Sequence, residues 1–364
     1  MADKVDANKI LQHEIYLGRV NSGLINSVVT PSLEATYKAI RAILQDKGIP
    51  ATQKQLAKLE ADIAKAVRSN NAWSIYTDEL NNVAIYEAGY TQEQVALIAA
   101  SKAASDKFVI DYVNQQFISL ESGSKVQTGL WPQFVQGNID SQIKQINDII
   151  RTGYAREQTL YQVGQNIRRS FEGVIKRDAE TLARTGFAHY ANEARAAWAE
   201  SNADLDLYSH LVFTFDNRIS DICRFISTGK TVFKLDDPKR RTPPFHFNCR
   251  TLEVFLPKGV ELSGTRSSVG GQSGKEAAEA FDKRESRSDK KVKYRGKKDS
   301  NIFKPGQVKA DTSYESWLRN QPAWFIDDVL GKTKGKAFRS GDKLSSFYDM
   351  TGRPLTLDEL KLKG

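Results

Sequence analysis

Apolar side chains recur at helical spacing through the first 200 residues of the chain and at strand spacing in a short stretch after them. In TPSLEATYKAIRAILQDKG, Leu33, Tyr37, Ile40 and Leu44 are spaced four, three and four apart, which lines them along one face of an α-helix. Thr30 is the expected N-cap, Pro31 the first helical residue and Gly48 the stop. TQKQLAKLEADIAKAVR repeats the pattern, with Thr52 as cap and Leu56, Leu59, Ile63 and Val67 as the stripe. Thr91 and Gln94 in TQEQVALIAA have capping-box spacing and predict another helix start. The Gly, Ser and Pro of ESGSKVQTGLWPQF break the helical pattern. It resumes at Ile139, Ile143, Ile146 and Ile150, and continues through a long helix carrying Ala183, Phe187, Tyr190, Ala194, Ala197 and Trp198 on its stripe. His189 lies beside that stripe and reads as a packed histidine.

After Asp204 the texture changes. HLVFTF is aromatic and β-branched and runs into Asp216-Asn217, a strand followed by a turn. CRTLEVFL alternates Leu252, Val254 and Leu256 with Thr251, Glu253 and Phe255, a second strand, and KTVFKL is a short third. Residues 262–300 are poor in large apolar side chains and rich in Gly, Ser and Lys, so a flexible basic linker is expected. Within it Lys290, Lys291, Lys293, Arg295, Lys297 and Lys298 are candidate contacts to DNA phosphates. From residue 301 the aromatic density returns with Tyr314, Trp317, Trp324 and Phe325, a small unit that either docks back on the chain or anchors on a partner. The resulting fold class is α+β: a helical region over 1–150, a small mixed domain with a short antiparallel sheet over 151–261, the linker, and a C-terminal segment over 301–364.

Composition narrows the setting. The chain has 364 residues, 40% hydrophobic and 27% charged, enough for two or three domains. No apolar run approaches the roughly 20 residues that span a bilayer, and the first residues lack the pattern of an export signal, so an intracellular product without membrane contact is expected. A net charge of +9 makes contact with nucleic acid or another acidic surface feasible. Two cysteines in a chain of this length imply reduced thiols rather than a disulfide scaffold.

Both cysteines fall in DNRISDICRFISTGKTVFKLDDPKRRTPPFHFNCR, together with His246. Thiolate and imidazole are preferred zinc ligands, which makes Cys223, His246 and Cys249 metal candidates. A closed site needs a fourth ligand. Ser220 occupies the place of a C-x-x-C partner, which would leave Asp216, Asp221 or Asp236 to complete the set. The competing reading packs both thiols as small buried hydrophobes while His246 bonds to loop carbonyls. A cysteine nucleophile would need His246 as base and Asn248 as orienting group, but no helix start beside a thiol is evident in the sequence. The loop is therefore expected to be structural and cofactor-free, with adjacent strands bringing the two cysteines together.

The order of Arg184-Thr185, Asn192, Asp216, Arg218, Cys223, Gly229, Pro244, His246, Asn248, Cys249 and Arg250 resembles the signature of the phage Mu protein F-like family. These are minor head, or head morphogenesis, proteins of tailed phages. Many relatives carry further cysteines where this chain has Ser220 and Thr251. The resemblance implies a non-enzymatic virion protein in the capsid interior or at the portal vertex. It also implies portal, capsid or scaffolding proteins as partners, contact with phage DNA, and a role in head assembly, packaging or ejection. The alternative from the residues alone is a toxin-like or hydrolytic enzyme using the Cys/His loop.

Overall fold

The computed structural model describes residues 4–122, 125–288 and 302–361. Strand β1 (Lys4–Asp6) leads into helix α1 (Ala7–Leu24), capped by the Asp6 carboxylate, which accepts from the Asn8 amide at 2.9 Å. A π-helical turn, Ile25–Val29, then carries the chain into α2 (Thr30–Lys47) without a break. Thr30 is thus not an N-cap: its own backbone is helical, and its amide bonds to the Ile25 carbonyl. The wider turn just before Pro31 accommodates a ring that an uninterrupted α-helix would reject.

Helix α3 (Gln53–Asn70) starts as expected, with the Gln55 amide donating to Thr52 Oγ1 at 3.2 Å and Gln55 Oε1 accepting from the Thr52 amide at 3.1 Å. Helix α4 (Trp73–Ala96) runs straight through the second expected cap. Thr91 Oγ1 donates to the Glu87 carbonyl one turn back, because the buried stripe of Leu80, Val83, Ala84, Ala88 and Val95 continues on both sides of it.

After α5 (Asp106–Gln115), the expected break is an antiparallel hairpin of β2 (Ile118–Ser122) and β3 (Lys125–Gly129). Helix α6 (Trp131–Ala155) follows, with Pro132 in its first turn where no amide is needed. The expected boundary at residue 150 lies inside α6, so the helical region does not end there. Next come α7 (Leu160–Ser170), a π-helical turn at Phe171–Ile175, and α8 (Lys176–Ser201).

Helix α8 is the hub. Every residue from Thr185 to Ala199 except Ala188 is buried, which marks a helix enclosed on all sides. Its alanines let α4 and α5 approach closely, and at Gly186 an added Cβ would sit 2.5 Å from the Trp131 ring. One continuous core joins α1–α8 and reaches Phe255 of the sheet.

That sheet has the order β5-β4-β6, all antiparallel, from β4 (Leu207–Val212), β5 (Val232–Lys234) and β6 (Leu252–Pro257). Helix α9 (Asp221–Ile226) lies between β4 and β5 in the chain. β7 (Glu261–Ser263) pairs in parallel with β1.

Residues 265–288 correct the expectation of a linker. β8 (Thr265–Gly271) pairs antiparallel with β9 (Phe303–Lys309), and α10 (Lys275–Ser288) stands between them in the chain. The small residues of TRSSVGG reflect close approach, not looseness: a Cβ on Gly271 would lie 2.7 Å from the Trp324 ring and 2.9 Å from Phe325 Cβ. Lys290, Lys291, Lys293, Arg295, Lys297 and Lys298 lie outside the described residues. Helices α11 (Tyr314–Arg319), α12 (Ala323–Leu330) and α13 (Lys332–Arg339) complete the fold. Their aromatics dock back on the chain, since Tyr314, Trp317, Trp324 and Phe325 share a second core with Phe213, Phe215, Phe245, Cys223 and Cys249. Among the described residues, no helix is long and apolar enough to cross a membrane.

Candidate functional site

The Cys/His loop sits where α8, the sheet and the C-terminal core meet. Cys223 lies in the first turn of α9, and the N-cap Ser220 accepts its amide proton at 3.2 Å. The serine in the C-x-x-C position is therefore a helix cap. A helix start beside the thiol, which sequence reading did not find, is present. Asn248 adopts φ 58°, a left-handed conformation that asparagine tolerates, and the Cys249 amide closes a turn onto the His246 carbonyl at 3.1 Å. This turn and α9, not adjacent strands, bring the thiols together.

Cys223 Sγ lies 3.6 Å from Cys249 Sγ and 3.2 Å from His246 Nε2. The Thr251 hydroxyl donates to Cys223 Sγ at 3.3 Å, and His246 Nδ1 meets the Phe247 carbonyl at 2.7 Å. Both cysteines are free and buried. The hydrogen bond to Cys249, together with burial, pushes the Cys223 thiol well above its ordinary pKa. Burial opposes ionisation of Cys249, but the hydrogen bonds from Cys223 and His246 outweigh it and hold its pKa well below that of a free thiol. Desolvation disfavours the charged imidazole of His246, while its interaction with Cys249 more than compensates and raises its pKa.

The remaining signature residues frame this cluster. Thr185 Oγ1 accepts the Asn248 amide at 3.1 Å and donates to the Thr181 carbonyl at 2.8 Å, pinning the turn to α8. Asn192 Oδ1 accepts the Glu253 amide at 2.8 Å, which pins β6 to the same helix. Asp216 holds Arg250 through both carboxylate oxygens, at 2.5 and 2.9 Å, and also accepts the Arg218 amide at 2.9 Å. Burial would raise the Asp216 pKa, but the bonds to Arg250 win and keep it below the usual carboxylate range. The Gly229 amide bonds to the Ile226 carbonyl just after α9, and buried Pro244 follows a cis bond from Pro243. Of these residues Arg184, Arg218, Gly229, Asn248 and Arg250 are exposed, and Arg184 pairs with Glu180 at 2.8 Å.

Two buried ionic groupings escaped the sequence reading. Arg195 on α8 binds Glu87 on α4 through Nε at 3.0 Å and Nη2 at 2.7 Å, and also contacts Glu14 on α1, while His13 meets the far oxygen of Glu87. Nearby, Glu253 on β6 binds Arg240 at 2.7 and 3.2 Å and accepts from Ser209. Glu193 lies buried beside it, and desolvation, reinforced by the Glu253 charge, pushes its pKa up to about 8. His189 is fully enclosed, and burial drives its pKa down to about 3. The available signal was position: Glu87 falls between Ala84 and Ala88 on the apolar stripe of α4.

Chemically, the loop offers two soft donors and one imidazole converging on a point, with both sulfurs buried and the imidazole partly buried. The Arg–Asp pair and the ties to α8 serve to hold its shape. Residues 144–253 match the family model described as Phage Mu protein F like protein. This segment is Mu F-like. The match begins within α6 and ends at the second residue of β6, so it contains α8, β4, β5 and the whole Cys/His loop. No curated protein and no solved structure matches the chain.

Proposed function

We propose that this chain is a minor head protein of a tailed phage, built into the procapsid beside the portal vertex and required for infectious particles rather than for any turnover. The observation that carries the reading is the Mu F-like match over 144–253. The geometry supports it: the signature residues Thr185, Asn192, Asp216, Asn248 and Arg250 bond one part of the fold to another. Portal and capsid or scaffolding proteins are the partners, reached through the solvent faces of the N-terminal helices. The basic run Lys290–Lys298 meets packaged DNA, and the protein acts in packaging or ejection from the capsid interior.

A hydrolytic or toxin-like use of the loop is the competing reading, favoured by the 3.2 Å contact between Cys223 and His246. Burial of the thiol to 2% exposure argues against it, because a nucleophile must reach its substrate.

Phage lacking this chain, complemented with the wild type or with an Asp216→Asn variant, tests the proposal. Procapsids from wild-type complementation should contain the chain with the portal, and particles made without it should be non-infectious. Infectious particles formed without the chain would overturn the proposal, as would its absence from purified heads. The DNA contact is checked separately, since replacing the six basic residues of 290–298 by glutamine should weaken and flatten salt-dependent DNA binding by the purified protein.

A further inference from the structure

The Cys/His cluster has the dimensions of a metal site. Zinc holds thiolates at about 2.3 Å and imidazole nitrogen at about 2.0–2.1 Å. In a tetrahedral site those radii set the two sulfurs about 3.8 Å apart and sulfur and nitrogen about 3.5 Å apart. The observed separations are 3.6 Å and 3.2 Å, and the three donor atoms all lie within 4.8 Å of one another. The sulfurs are far from the roughly 2.05 Å of a disulfide.

A second observation concerns His246. Its Nδ1 faces the Phe247 carbonyl at 2.7 Å, and a carbonyl can only accept, so Nδ1 carries the hydrogen. In the neutral ring, Nε2 then presents its lone pair to the cluster, the orientation that metal-bound histidines take when the other nitrogen bonds to a backbone carbonyl. The Thr251 hydroxyl, 3.3 Å from Cys223 Sγ, supports the sulfur from behind. Charge points the same way: two thiolates and a divalent cation sum to zero, which suits a buried position, whereas two adjacent thiolates alone would repel.

We propose that Cys223, His246 and Cys249 bind one zinc ion, with water in the fourth position on the side of His246, the least buried of the three. The ion clamps α9 to the 246–249 turn and so fixes the junction between the sheet and the C-terminal core. This replaces the expectation that the thiols merely pack as small apolar groups, and it does not depend on the head-assembly reading.

The full-length reduced chain, stripped of metal with a chelator and titrated with Co(II), provides the test. One equivalent should bind, with the sulfur-to-cobalt charge-transfer and intense ligand-field absorption of a tetrahedral thiolate site, and Zn(II) should bleach it. Cys223→Ser, Cys249→Ser and His246→Gln should each abolish the spectrum. Because a serine variant can fail to fold, thiol reactivity in the wild type gives an independent readout: zinc should protect both cysteines from a disulfide reagent. Three results would each overturn the site: no cobalt uptake by the folded wild type, a spectrum that survives His246→Gln, or thiols that react equally fast with and without zinc.

Discussion

Arg195→Met tests whether the N-terminal helices and the Mu F-like segment form one cooperative unit. Arg195 on α8 joins Glu87 on α4 and Glu14 on α1, across sequence separations of 108 and 181 residues. Glu87 is 0% exposed, and burial alone would raise its pKa, yet the Arg195 charge with the His13 contact keeps it low. Methionine fills much of the arginine stem's volume and removes the charge. Glu87 would then keep only the His13 contact, and breaking a buried pair this way costs about 3–5 kcal/mol.

Urea unfolding followed by circular dichroism measures the change, with Arg68→Met as the control. Arg68 reaches Asp140 only at 3.8 Å, with both side chains more than half exposed, so its loss should cost no more than about 1 kcal/mol. Combining Arg195→Met with Glu87→Gln should recover part of the loss, since the carboxylate then left without its arginine is the partly exposed Glu14 rather than the fully buried Glu87. A change at Arg195 as small as that at Arg68 would refute the reasoning. So would two separate unfolding transitions in the wild type.

Three further predictions concern the interior. Glu193, whose folded pKa of about 8 exceeds its ordinary 4.5, stabilises the fold fully below pH 4.5, and that contribution is lost as pH rises through about 8. Glu193→Gln should therefore flatten the decline in stability across that window, worth at most roughly 4–5 kcal/mol; parallel curves for the two proteins would contradict it. Gly271→Val should destabilise the fold through overpacking against Trp324 and Phe325 by about 1–3 kcal/mol or more, read as a lower melting temperature, whereas Gly259→Ala, in open space but at φ 79°, should cost only its backbone strain of about 1 kcal/mol. Thr185→Val removes the acceptor of the Asn248 amide and should cost about 1–3 kcal/mol, with faster amide exchange at Asn248; unchanged exchange would show that the tie to α8 is unimportant.

Much of the helical half was legible because burial on one face leaves a period in the sequence. The stripe of α3 and its Thr52 cap, the isoleucines of α6 and the apolar positions of α8 all stand where spacing put them. Errors arose where a local signal was overridden by a longer pattern. Thr30-Pro31 and Thr91–Gln94 have cap chemistry, but the apolar stripes on either side run on, and the helices run with them. β8 failed for a different reason: its inward positions are Arg266, Ser268 and glycines, which carry no hydrophobic alternation, and its fit depends on aromatics some 50 residues later. Within the site, all three Cys and His residues were picked out, since thiols and imidazoles are scarce and conspicuous. Glu193, Arg195 and Arg240 were not, because a charged residue in a sequence does not announce whether its partner waits in the interior.

The parallel pairing of β1 with β7 sets a schedule for biosynthesis. Val5 lies opposite Leu262, and both join Val212, Leu252 and Leu256 in one small apolar cluster. At translation rates of about 5–20 residues per second, the first strand waits on the order of 10–50 seconds for its partner to emerge. Throughout that interval α1 has neither the strand that anchors its start nor, until α8 is made, the arginine that neutralises Glu14 and Glu87. An unanchored amphipathic helix with Ile10 and Leu17 uncovered is a substrate for chaperones or for premature pairing with neighbouring chains. Yield from slow expression should therefore depend on chaperone supply more steeply than the stability of the finished protein would suggest.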